Sequence, residues 1–252
     1  VSKPFYTIVW AAGNDRNDTG DGTRDPDGPE DTIGPEGVAK NVITVGAVSA
    51  NDEYTGPQSV FMSDFSSWGP TDDGRIKPDI VANGVAVLSS TSGSNTSYAS
   101  LSGTSMSSPN ASGSLILLQE LYARLKNGEF LRAATIKGLA IHTASEAGIA
   151  PGPDYKFGFG LLNVEKAASV ISASVANNNN ASSEHLMFEN VFNATTTSFS
   201  TNVIASGKGQ LKATISWTDP KGNVETVNVL NDPTPKLVND LDVRVTTNGG
   251  AK

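Results

Sequence analysis

Hydrophobic and polar positions follow two different rhythms in this chain, and the change of rhythm divides it. Residues 6–12 are an apolar run closed by Gly13-Asn14, which predicts a buried strand ending in a turn. Residues 41–48, rich in β-branched side chains, predict a second buried strand. Residues 76–88 predict strand and turn, interrupted by Pro78 and Gly84. Helical periodicity then runs over about 105–126 and 131–144, the first helix anchored in a core by the run Leu115-Ile116-Leu117-Leu118 with Leu121, Tyr122 and Leu125. Strands separated by helices predict an α/β domain with a largely parallel sheet across residues 1–175.

Near Ala173 the pattern changes. Asn177 to Asn180 form a polar linker, and beyond it the period shortens to two. Residues 186–192, 197–203, 210–217, 226–230 and 241–246 each predict a short strand, with turn residues between them and no helical stretch. Residues 181–252 are therefore expected to form part of an all-β sandwich or jelly roll.

Composition narrows the partners. A chain of 252 residues is long enough for a self-sufficient core. A net charge of −8 argues against a nucleic-acid partner, whose phosphates need a basic face. No apolar stretch reaches the ~20 residues of a membrane-spanning helix. The absence of cysteine excludes disulfides and thiolate metal sites. Much of the negative charge lies in an acidic loop over residues 15–35, which holds Asp15, Asp18, Asp21, Asp25, Asp27, Glu30 and Asp31.

The segment Ser102-Gly103-Thr104-Ser105-Met106-Ser107-Ser108-Pro109 carries the chemistry. A glycine allows a sharp bend, and Ser105 falls where a helix begins, with unpaired N–H groups and the positive end of the helix dipole beside it. By itself this could be a helix cap. Together with Gly113, however, the segment resembles the nucleophile motif of the subtilisin-like serine proteases, the subtilases. Further stretches resemble that family in the order it requires. These are Ala11-Ala12-Gly13-Asn14, the strand from Ala39 through Asn41 to Ala47, Phe65-Ser66-Ser67-Trp68-Gly69-Pro70 with Ile76-Lys77-Pro78-Asp79-Ile80, and Gly158-Phe159-Gly160-Leu161-Leu162-Asn163. One departure is Asn110, where many relatives carry a histidine. More loosely, residues 211–219 and Leu237-Val238-Asn239-Asp240-Leu241-Asp242 resemble the C-terminal β-barrel of KP-43-like subtilases.

The resemblance implies a serine endopeptidase acting on polypeptides, with Ser105 as nucleophile and Asn14 as side-chain donor of the oxyanion hole. Ala11, Ala12 and Gly13 would wall the pocket for the side chain preceding the scissile bond. Ser100, Leu101 and Gly103 would flank an extended peptide. It also implies a secreted or cell-envelope location.

The base and its orienting acid are missing from their expected place. Subtilases carry Asp and His, in that order, ahead of the nucleophile. The only histidines here, His142 and His185, follow it in unrelated contexts. We therefore expect the chain to be the later part of a subtilase catalytic domain, inactive alone, whose partner is the missing N-terminal part of the same protein. No cofactor is required. A structural calcium ion could use Asp15, Asn17 and Asp21, or Asp240 and Asp242 with Asp232 and Asn239, although a solvated loop explains the first group as well. Two other readings stand beside the protease: a degenerate protease fold that only binds peptides, and an adhesion or glycan-binding protein acting through the β region.

Overall fold

A computed structural model describes residues 3–19, 28, 30–223, 232–247 and 250–251. Its centre is a three-stranded parallel sheet in the order β1 (Val9–Ala11), β2 (Ile43–Val48), β3 (Ile80–Asn83). Val9 lies opposite Ile43, and Val45 opposite Ile80. All six residues of β2 are buried, as a central parallel strand covered on both faces must be. The two-residue period sorts the side chains. Ile43, Val45, Ile80 and Ala82 join the main core with the helices. Val48 and Val81 face a smaller cluster with Val60, Ala147, Phe157 and Leu161.

Helix α1 (Thr104–Leu125) lies on the sheet along a stripe of Thr104, Ser107, Ala111, Leu115, Leu118 and Tyr122, spaced three and four apart. Burying each of its leucines contributes about 1.5–3 kcal/mol. Both predicted helices exist, the second as α2 (Ala133–Thr143). The 76–88 stretch splits into β3 and the start of a hairpin, in which β4 (Val87–Ser90) pairs antiparallel with β5 (Tyr98–Leu101) and leads straight into α1.

A third helix, α3 (Val164–Ala176), was not predicted. Its serines and valines favour helix only weakly, while its alanines favour it strongly. Its start is nonetheless fixed, because Asn163 caps it by accepting the Lys166 N–H at 2.9 Å. Ala167, Val170, Ile171 and Ser174 then bury one side of it.

The expected sandwich is corrected. Residues 186–192, 197–203 and 210–217 form no strand, and residues 226–230 lie outside the described residues. The segment 241–246 contributes only Thr246 to a two-residue strand, β6 (Thr246–Thr247), paired with β7 (Gly250–Ala251). The alternation is present in the sequence, but strands need hydrogen-bonded neighbours and an opposing layer. Over the described residues 186–217 neither exists, and Ile204, Leu211 and Val243 are 65%, 53% and 51% exposed.

Candidate active site

The carboxyl ends of β1 and β3 converge on the start of α1. The Ala12 N–H donates to Val45 O at 3.0 Å, which carries the β1 ladder to its end. Gly13 follows with φ of +109°, and a Cβ there would stand 2.8 Å from Ser67 Oγ. Glycine is required at this point by both conformation and space. Its carbonyl accepts the Ser67 N–H at 2.9 Å, and its N–H donates to Thr104 Oγ1 at 3.2 Å. From β3, Gly84 O accepts the Gly103 N–H at 2.8 Å, fixing the turn that enters α1.

These anchors bring Asn14 and Ser105 together. The Asn14 Oδ1 accepts the Thr104 N–H at 2.9 Å and the Thr104 hydroxyl at 3.1 Å. With its oxygen held, the amide nitrogen is the end left to act, and it lies 3.7 Å from where a Cβ on Gly103 would stand. Ser105 is the second residue of α1 and is exposed, while Gly103 and Thr104 beneath it are buried. Its N–H belongs to the first helical turn, which has no intrahelical acceptor. An exposed hydroxyl, a free backbone N–H and an oriented side-chain amide thus share one spot. Such a constellation suits attack on a carbonyl and stabilisation of the resulting oxyanion.

The other expected residues fall as follows. Ala11, Ala12 and Gly13 form the last residues of β1 and its turn, Ala12 buried. Ser100 and Leu101 are exposed in β5, which pairs with β4 on one side and has no strand on its other edge among the described residues. Neither histidine meets Ser105. His142 ends α2 and shares a 2.9 Å hydrogen bond with Thr214 Oγ1. Burial, then the Lys212 and His185 charges, push its pKa below the ordinary value. His185 pairs locally with Ser183.

The candidate calcium residues fall as follows. Among the described residues no three histidine or acidic side chains stand together. Asn17 donates its amide to Asp64 O at 3.0 Å, Asp232 accepts from Thr234 and Lys236, and Asn239 is bonded to Asp219. Asp240 is exposed, Asp242 lies 3.9 Å from Arg244, and Asp21 is outside the described residues. Two supporting residues were not anticipated from sequence: Thr104, whose hydroxyl bonds Gly13 and Asn14, and Ser67, whose N–H donates to Gly13 O and whose hydroxyl accepts the Asp15 N–H. Only the polar residue beside Ser105 hinted at the first.

The peptidase S8 model, described as the subtilase family, matches residues 5–160. Over 61 residues the chain is 57% identical to the C5a peptidase of Streptococcus pyogenes, covering 24% of this chain and 5% of that protein. It is 38% identical over 123 residues to serine protease AprX of Bacillus subtilis (strain 168), covering 40% of this chain and 28% of AprX. The structure of the Clostridium perfringens CspB protease aligns with a TM-score of 0.49 at 27% identity, over 57% of this chain and 30% of that one. The chain therefore spans a small part of each relative. With the family match running from the strand-like start through the serine helix, the chain belongs to the subtilase family of serine proteases, peptidase S8.

Proposed function

We propose that the parent protein is a subtilisin-like endopeptidase that hydrolyses polypeptides through an acyl-enzyme on Ser105. The observation that carries this reading is the Asn14 side chain, whose oxygen is held by Thr104 so that its amide stands over the turn entering the serine helix. In this mechanism Ser105 Oγ attacks the scissile carbonyl and the carbonyl oxygen takes up negative charge. Asn14 Nδ2 and the Ser105 N–H hold that charge. A histidine, oriented by an aspartate, takes the serine proton and returns it to the leaving amine, and water then releases the acyl group.

Both of those residues come from the preceding part of the parent protein, because the His142 ring bonds to Thr214 and His185 lies near His142 rather than beside Ser105. The chain alone is accordingly inactive. Substrate lies extended along the free edge of β5 at Ser100 and Leu101, passing Gly103, with its preceding side chain against Ala11, Ala12 and Gly13. The parent works outside the cytoplasm, secreted or on the cell envelope. No cofactor takes part, and calcium, if bound, is structural.

The test uses both forms. In the parent enzyme, Ser105→Ala should abolish peptide cleavage, and Asn14→Ala should lower kcat by about 10²–10³-fold, the range measured for the equivalent donor in subtilisin itself, with a small change in KM. The 252-residue chain should not label with a fluorophosphonate. An Asn14→Ala parent with unchanged kcat would remove Asn14 from the oxyanion hole, and stoichiometric labelling of the chain alone would show that its base lies within it.

A further inference from the structure

The family match ends at residue 160, yet the chain beyond it returns to the matched part and is gripped there. Asp219 is 3% exposed. Its carboxylate accepts from the Lys40 ammonium, from the Val238 and Asn239 N–H groups at 2.9 Å, and from the Asn239 side-chain amide at 3.0 Å. The backbone of the same residue is held from the other side. The Asp219 N–H donates to Asn41 Oδ1 at 2.9 Å, and Asn41 Nδ2 donates back to Asp219 O at 2.8 Å. This is the two-bond exchange of a strand partner, made by a side chain. The Lys40 ammonium places its other protons on Pro220 O at 2.7 Å and Lys236 O at 2.6 Å, so all three donors are used.

A second grip lies over α2. The Lys212 ammonium donates to His142 O at 2.6 Å, and Thr214 meets the His142 ring. Between these grips the chain passes so close to α2 that a Cβ on Gly138 would stand 2.8 Å from Ser216 Cβ. A third contact joins the Lys236 N–H to Asp73 Oδ2 at 3.2 Å.

We infer that residues 212–223 and 232–239 form a strap across α2 and the entrance to β2, buckled at Asp219, and that this strap is part of the peptidase unit rather than of a separate module. A carboxylate and an ammonium leave water only where every donor and acceptor finds a partner, and here each does. Asp219 is buried by the Lys40 and Asn41 contacts of the matched part together with Val238 and Asn239. Gly138 supplies independent support, since a helix interior without anything above it gains nothing from glycine.

Two substitutions in the full 252-residue chain, read by hydrogen exchange and thermal melting, test the strap. On an uncovered helix Gly138→Ala raises the melting temperature. Beneath a docked strap it should lower it and speed exchange in residues 212–223. Asp219→Asn should speed exchange in 212–223 and 232–239 together by at least about tenfold, the loss of one charge-assisted hydrogen bond. Asp242→Asn, at an exposed pair with Arg244, should change neither readout. A higher melting temperature for Gly138→Ala, or strap exchange unchanged in both variants, overturns the inference. Should Asp219→Asn fail to fold, the sign of the Gly138→Ala shift still decides.

Discussion

Thr104 does more for the candidate site than its place beside the serine suggests. Its hydroxyl donates to Asn14 Oδ1 and accepts the Gly13 N–H, and its own N–H completes the hold on Asn14. Thr104→Val keeps the shape but removes the hydroxyl, leaving the Gly13 N–H without an acceptor. We expect a loss of about 1–3 kcal/mol in urea unfolding of the chain, with Thr104→Ser close to wild type. Equal stability for the valine and serine variants would show that the hydroxyl is not holding the turn. The sequence pointed to Ser105 and Asn14 because each sits in a short motif with its own chemistry. The role of Thr104 was not legible there, since the Asn14 contact spans 90 residues and exists only once β1, β3 and α1 are packed.

Elements are joined by charges as well as by apolar packing. Just before β3, Lys77 is 2% exposed and donates to Val42 O at 2.9 Å, Thr44 Oγ1 at 2.9 Å and Asp79 Oδ2 at 2.7 Å. From α2, Lys137 reaches Asp79 Oδ1 at 2.9 Å, so one buried carboxylate ties β2, β3 and α2 together. Burial works against the Asp79 charge, but Lys137 and Lys77 outweigh it and hold its pKa low. Asp79→Asn leaves two lysines facing each other and should cost about 3–5 kcal/mol in chemical unfolding.

The same cluster sets a pH response. Burial lowers the Lys77 pKa to about 8 despite Asp79. The unfolded chain keeps that proton up to the ordinary lysine value of about 10.4. Between the two, the unfolded state binds more protons, so this group's contribution makes stability rise with pH, by at most ~1.4 kcal/mol per unit. Unfolding midpoints from pH 8 to 10 should show this rise, and Lys77→Met should flatten it. An equal slope in the variant would assign the effect elsewhere.

The sequence showed this region as a Pro-broken strand entry and gave no sign that its charges are buried together. Element type was legible where periodicity was strong, in β2 and α1. It missed α3, although Ala167, Val170 and Ile171 share one face and the Asn163 cap fixes its start. It failed again over residues 186–217, where alternation predicts a strand but cannot supply the neighbouring strand that would make one.

At the scale of the whole molecule, the exposed apolar surface includes two groups near the site. Phe5, Tyr6, Ile8 and Trp10 are 54%, 71%, 38% and 43% exposed along and before β1, the outer strand of the sheet order. Ile116 and Leu117 are 67% and 60% exposed on the side of α1 turned away from its buried stripe. Isolated exposed leucines need no explanation, but large apolar side chains grouped on the strand and helix that lead to the site do. The proposed mechanism requires a histidine and an aspartate from the preceding part of the parent protein to reach Ser105, and these surfaces are where that part can pack. Supplying that part in trans should make Ser105 label with a fluorophosphonate. Ile116→Glu in this chain should reduce that labelling at least about tenfold, the effect of placing one charge against an apolar partner. Because Ile116 faces solvent here, the same substitution should leave melting of the chain alone within the ±0.5 kcal/mol typical of surface changes. Undiminished labelling would place the meeting surface elsewhere, and a large drop in the chain's own melting would mean that Ile116 serves the fold rather than the assembly.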